Sequence, residues 1–128
     1  MSSWTPEELH RFAVADDMHV APLREDGVTP GTPTFIWSVV VDGDLYVRPY
    51  HGARSRWFRA ASAQGAGRIR LDGAEREVEF SAAAPGVLDA VDAEYRRKYA
   101  GSPYVTPMVA DGPRSSTVRI VPRGPVPA

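Results

Sequence analysis

The chain has no cysteine. Disulfides, thiolate catalysis and cysteine-held zinc or iron–sulfur sites are therefore excluded. Lysine is almost missing too: of fifteen basic residues, only Lys98 is lysine and the rest are arginine. Beside the abundant alanine, glycine and proline, this reads as a compositional bias, so arginine in place of lysine says little at any single position. No stretch approaches the roughly 20 apolar residues of a membrane span, and "MSSWTPEELH" lacks the apolar core of a leader. A cytoplasmic location without a membrane partner is the expectation. A large net charge is also absent. The balance of −1 and a pI near 6.3 argue against a general nucleic-acid binder.

Motifs of common chemistries are lacking as well. His10, His19 and His51 show no metal-ligand spacing, and no metal site is expected. There is no G-x-S-x-G, G-x-G-x-x-G or Walker sequence. Asp89 and Asp92 share a helix face, which reads as solvated surface rather than a pair of glycosidase acids.

What remains is an ordinary globule. With 128 residues, 43% hydrophobic and 24% charged, the chain suits one domain over residues 1–128. "TPEELHRFAVAD" predicts a helix within residues 1–16, with Thr5 as N-cap, Pro6 at the first position and Glu8 completing a capping box. "MHVAPL" reads as a short strand and "REDGVTPGTP" as a loop. "TFIWSVVV" and "DLYVRPY" flank Asp42-Gly43 and predict a hairpin. In the first run Phe35, Trp37, Val39 and Val41 alternate with Ile36 and Val40. Both faces are apolar, which predicts a strand buried on two sides at a barrel centre or subunit interface. In the second run Leu45 and Val47 face opposite to Tyr46, Arg48 and Tyr50. "SRWFRAASAQ" predicts a helix capped by Ser55, "GRIRLDGAEREVEF" a second hairpin, "PGVLDAVDAEYRRKYAG" a third helix, "SPYVTPMVADGPRSS" a loop and "TVRIV" a last strand. Residues 124–128 read as a flexible tail. The sum is a mainly β protein with short helices, a small antiparallel barrel with helices at its openings.

One stretch stands apart. Residues 45–71 hold six arginines and no Asp or Glu. Arg68 and Arg70 fall opposite glutamates of the second hairpin and are accounted for there. Arg48, Arg54, Arg56 and Arg59 have no local acid, and three of them crowd a helix start, where the macrodipole favours anions. A phosphate or carboxylate held by guanidiniums, Ser55 and backbone N–H groups would resolve that conflict, with Gly52 allowing close approach. The competing reading is that these arginines splay into water over apolar surface. His51, beside them, is a candidate hydrogen-bonding or acid group. Trp57 and Phe58 read mainly as core, with one of the two facing the groove. The cations Arg96, Arg97 and Lys98 suit a helix C-terminus and need no ligand.

These residues carry a resemblance. "GDLYVRPYHGARSRWFRAASAQGAGRIRL" resembles the central segment of the FMN- or deazaflavin-binding split-barrel superfamily, which includes pyridoxamine phosphate oxidase and the deazaflavin-dependent nitroreductases. "YRRKYAGSPYVTPMV" and "STVRIVP" are similar to the nitroreductase pattern of helix, Pro-Tyr loop and closing strand. Over nearly the whole chain, "APLREDGVTPGTPTFIW", "YVR", "SRWFRAA", "KYAGSPY" and "TVRIVPR" resemble the DUF2255 family of bacterial proteins. The resemblance implies a six-stranded antiparallel split β-barrel of the FMN-binding type, a homodimer, and a groove between subunits for FMN or the deazaflavin F420. It implies that Arg54, Ser55 and Arg56 meet the cofactor phosphate, with Trp57 beside them, and that Tyr104 approaches the ring or substrate. The chain departs from the superfamily pattern at Ala60, where Asn is usual, at "Ala-Gln-Gly" in place of Asn-Pro, and at Met108 in place of a second tyrosine.

The expectation is a flavin- or F420-binding oxidoreductase acting on a small organic molecule. Tyr104 and His51 are its catalytic candidates, and Arg48, Gly52, Arg54, Ser55, Arg56, Trp57 and Arg59 its cofactor-binding ones. The alternatives are a non-redox binding or accessory protein for an anionic metabolite and a cofactor-free enzyme in the same groove.

Overall fold

The computed structural model describes residues 3–123; the expected tail, 124–128, lies outside them. The N-terminal helix, α1, runs Pro6–Val14, with Thr5 and Glu8 forming the reciprocal capping box that the sequence encodes. Its Phe12 meets Trp4, just ahead of the helix, edge-to-face in the core, and Trp4 Nε1 donates to the Ile120 carbonyl at 2.8 Å.

The strands are β1 His19–Pro22, β2 Thr34–Phe35, β3 Ser38–Val41, β4 Asp44–Val47, β5 Ala66–Leu71, β6 Ala74–Ala82 and β7 Val118–Pro122. They form one curled antiparallel sheet in the order β2-β1-β5-β6-β7-β4-β3. Both DG turns are present, with positive φ at Asp42, Gly43, Asp72 and Gly73. In the second hairpin Arg68 and Arg70 stand opposite Glu77 and Glu75, and Arg68 takes both carboxylates as ion pairs. Among the described residues, no helix is long and apolar enough to cross a membrane.

The sheet has seven strands, not the expected six. The run 34–41 is two strands at opposite edges of the sheet: β2 pairs with β1, and β3 pairs with β4. It is not the doubly buried strand that its composition suggested, and Phe35 is 54% exposed. Only Ile36 and Trp37 separate the two edge strands, which brings the edges within about 10 Å of each other. Parity survives the break. Ile36 and Val40 face the main core inside the curl, while Trp37, Val39 and Val41 face a second core under α3, the helix at Leu88–Lys98. Leu45 and Val47 likewise join the main core and Tyr46 the second.

Helix α3 supplies what the ladder loses at the break. The Tyr95 hydroxyl donates to the Trp37 carbonyl at 3.2 Å. The Tyr99 hydroxyl accepts from the Ser38 N–H and donates to the Ser38 carbonyl, both at 3.2 Å. Burial pushes the Tyr95 hydroxyl far up and the Tyr99 hydroxyl to about 12, so both remain donors near neutral pH. Lys98 Nζ donates to three carbonyls: Ala15 at 2.6 Å, Ser38 at 2.7 Å and Phe12 at 3.3 Å. It is therefore more than a solvated cation at a helix end; it ties the C-terminus of α1 and the start of β3 to α3. Three N–H groups diverging from one nitrogen can reach three carbonyls; a planar guanidinium cannot reproduce that.

Helix α2, Arg56–Gln64, and α3 match expectation. The segment after α3 does not. It forms two short helices, α4 Val105–Met108 and α5 Asp111–Ser115, rather than a plain loop. Pro107 and Pro113 each sit in a first turn, where a missing N–H removes no helical bond.

Replacing Lys98 tests the three-carbonyl clamp. Lys98→Arg and Lys98→Met are both expected to lose about 1–3 kcal/mol in urea denaturation, because neither serves the Phe12 and Ala15 carbonyls as the ammonium does, while the Ser38 carbonyl keeps the Tyr99 hydroxyl. An arginine variant as stable as the parent would contradict the clamp. Burial also pulls the Lys98 ammonium down to about 8. From there up to the unfolded lysine value only the unfolded chain holds the proton, so this group's contribution to stability rises with pH across that window. The NMR titration of the Lys98 side chain should show the midpoint.

Candidate functional site

A cleft of about 770 Å³ opens where the break between β2 and β3 meets the start of α2. Four segments build it. Thr34, Phe35, Ile36 and Trp37 come from the break. Tyr50 and His51 follow β4, and Ser55, Arg56 and Trp57 begin α2. Ser102, Tyr104 and Met108 come from the segment after α3, with Arg48 at the floor.

One wall is aromatic. Trp37 lies flat on Tyr99, ring centroids 3.9 Å apart and planes 3° from parallel. Tyr104 meets Trp37 edge-on at 6.4 Å and Tyr50 at 5.9 Å, and Tyr50 meets His51 at 5.1 Å. The opposite end is a helix start. Ser55 occupies the N-cap position of α2, yet its hydroxyl makes no capping hydrogen bond, and no acidic residue occupies the first turn. Arg56 beside it is exposed and, among the described residues, makes no ion pair. Among the described residues, no Asp or Glu lines the cleft. The arrangement joins flat apolar surfaces to a cationic, hydrogen-bonding end.

The predicted residues divide. His51, Ser55, Arg56, Trp57 and Tyr104 come together at the cleft. Trp57 is also core, at 7% exposure, and Phe58 packs behind it, as the sequence led one to expect. Arg54 is exposed on a short 3₁₀ turn, Gly52–Arg54, outside the lining. Arg59 lies one helical turn further along, in a neighbouring groove. Gly52 is buried, and a Cβ there would come into ordinary contact with the backbone of Gly112; its φ of +65°, rather than room for a ligand, is what asks for glycine.

Arg48 is not an uncompensated cation. Its side chain is fully buried, with Nη1 2.5 Å from Asp92 Oδ1, an ionic contact without hydrogen-bond alignment. Nε donates to Thr117 Oγ1 at 2.9 Å, Nη1 to the Met108 carbonyl at 3.2 Å and Nη2 to the Leu88 carbonyl at 3.3 Å. Asp92 is correspondingly not solvated helix surface. It is 8% exposed and holds Arg114 as well, which also reaches Asp89 at 2.8 Å. The network fastens α3, α4 and α5 beneath the cleft.

Sequence reasoning missed Phe35, Trp37 and Tyr50 as cleft residues, along with Asp92 and Arg114 as partners of the floor. Parity did put Trp37 and Phe35 on one face. Nothing local signals that the chain breaks between them, or that Asp92 meets an arginine 44 positions earlier.

The profile of a family described as "Uncharacterized protein conserved in bacteria (DUF2255)" matches residues 8–120. No curated protein matches the chain.

Substitution at the floor and at the rim should separate sharply. Asp92→Ala strands a buried guanidinium and is expected to cost about 3–5 kcal/mol in chemical denaturation. Arg56→Ala, at an exposed position, is expected to stay within about 0.5 kcal/mol of the parent. Equal losses would refute the division of the arginines into structural and free ones.

Proposed function

This chain belongs to the DUF2255 family, and we propose that it is a split-barrel oxidoreductase that binds FMN or a deazaflavin such as F420 and acts on a small organic molecule. The observation that carries the reading is the pairing, in one acid-free cleft, of an aromatic wall with the uncapped start of α2. A cleft of about 770 Å³ is within the roughly 300–1,000 Å³ of small-molecule sites. The donor set fits such a cofactor: an unused hydroxyl at Ser55, a guanidinium at Arg56 without a carboxylate partner, and the faces of Trp37, Tyr50 and Tyr104.

In this reading Ser55, Arg56 and the first N–H groups of α2 anchor the phosphate, with Trp57 beneath them. Trp37, held flat by Tyr99, and Tyr104 would be the aromatic residues that hold the ring. The hydride chemistry belongs to the cofactor. The chain supplies orientation, exclusion of water, and two proton-bearing groups, the Tyr104 hydroxyl and the His51 ring. A second copy of the chain would cover the mouth, since Phe35, Tyr50 and Tyr104 are, among the described residues, three of the five large apolar side chains left exposed. A cytoplasmic dimer is the proposed working form.

One observation favours a second reading, a non-redox binder or accessory protein for an anionic metabolite. Met108 puts a thioether in the cleft where the nitroreductase pattern has a tyrosine hydroxyl, and Ala60 replaces the usual asparagine.

The absorption spectrum of freshly purified protein and thermal shifts with FMN and F420 decide between them. The oxidoreductase reading expects bound chromophore or a clear stabilisation. It expects affinity to fall about ten- to hundredfold in Ser55→Ala/Arg56→Ser. It further expects Tyr104→Phe to lower turnover while leaving affinity nearly unchanged. Colourless protein that neither flavin stabilises would remove this reading and leave the binder.

A further inference from the structure

Arg56 borders two concavities. One is the cleft; the other is a groove of about 730 Å³ between the β1–β2 connection and the outer face of α2. On α2 the groove takes Arg56, Arg59, Ala60, Ala63 and Gln64, one continuous helix face. The two alanines leave its floor low, and Arg24 faces it from the other side. We propose that the ligand of the cleft carries at least two anionic groups, and that its tail crosses Arg56 into this groove, where Arg59 and Arg24 hold the second. The inference rests on the reading above for the ring end and adds the class of molecule: a nucleotide-type cofactor with an acidic tail, a dinucleotide or a phosphodiester bearing carboxylates, rather than a mononucleotide.

The distribution of arginine partners supports it. Seven of the fourteen arginines, Arg11, Arg48, Arg68, Arg76, Arg97, Arg114 and Arg119, make ion pairs with Asp or Glu. Among the described residues Arg24, Arg54, Arg56, Arg59, Arg70, Arg96 and Arg123 make none, and the first four of these gather around one helix start. Three of the four line the groove. Glu25 and Asp26 line it too, but the Asp26 carboxylate is turned into its own loop by Val28 N–H, Thr29 N–H and the Thr29 hydroxyl at 2.9, 2.9 and 2.6 Å. Those bonds occupy three of its roughly four acceptor sites and, with the nearby Arg24 charge, draw its pKa down to about 2, so the carboxylate stays charged but is turned toward its own loop, while Glu25 is exposed. Arg56 and Arg59 stand one helical turn apart, roughly 5–6 Å between Cβ atoms, close to the spacing of successive charges along a nucleotide tail.

The experiment compares riboflavin, FMN, FAD and F420 by calorimetry on the parent and on Arg24→Ser/Arg59→Ser, with inorganic phosphate and tripolyphosphate as ring-free probes. Both substituted positions are exposed, so the fold should be kept. At least one of the tailed cofactors should bind the parent more tightly than FMN and lose about tenfold or more in the double variant, with a loss that shrinks as salt rises. FMN should change less than about twofold. FAD against F420 tells a pyrophosphate from a carboxylate tail. Equal effects on FMN and both tailed cofactors, or no effect on either, overturn the proposal. So does tripolyphosphate binding the parent no better than phosphate. If no flavin binds but tripolyphosphate does, through Arg24 and Arg59, the flavin reading fails while the groove stands as a polyanion site.

Discussion

The link Ile36–Trp37, with Ser38 at the start of β3, holds the molecule in its shape. It joins the two edges of one sheet, so the sheet must curl until those edges nearly meet. A strand cannot bond to both edges at once, and at the crossing the ladder stops. The stranded backbone groups are buried, and leaving them unpaired would cost about 1–3 kcal/mol each. Tyr95, Lys98 and Tyr99, on α3 and its C-terminal cap, satisfy the Trp37 carbonyl and both backbone polar groups of Ser38. Helix α3 is thus part of the sheet's hydrogen bonding as well as a layer packed on it. The same arrangement makes the cleft, because Trp37 leaves the crossing already stacked on Tyr99.

A second constraint follows below it. The cleft floor contains a full positive charge with no access to water, tolerable only because Asp92 and three neutral oxygens surround it. This buried pair gives α3, α4 and α5 one relative position, and with them the aromatic wall at Tyr104 and Met108. Sites with rigid support of this kind bind with less ordering cost.

Much of this was legible in the sequence where the causes are local. The Thr5–Glu8 capping box, the two DG turns, the alternation of Leu45 and Val47 against Tyr46, and the start of α2 after Ser55 all rest on neighbours within a few residues. The failures share the opposite property. The break at Ile36–Trp37 depends on tyrosines some 60 residues later. Arg48 looked free because its acid is 44 positions away. The segment 102–116 carried loop residues, yet its prolines happen to fall where a short helix tolerates them. At the site the free arginines were recognisable by their lack of local acids, but that test could not separate Arg48 from Arg56.

Lysine usage makes the same point from the other side. A bias that writes arginine at fourteen of fifteen basic positions should be indifferent to context, and one exception would ordinarily be noise. The exception falls where three carbonyls converge on a single nitrogen. A guanidinium there would direct its donors in a plane and leave at least one carbonyl bare. The composition therefore sets the default, and the geometry of the crossing accounts for the departure from it. By that logic the arginines around α2 carry information not because they are arginine, but because, among the described residues, Arg24, Arg56 and Arg59 have no acid partner and line a concave surface.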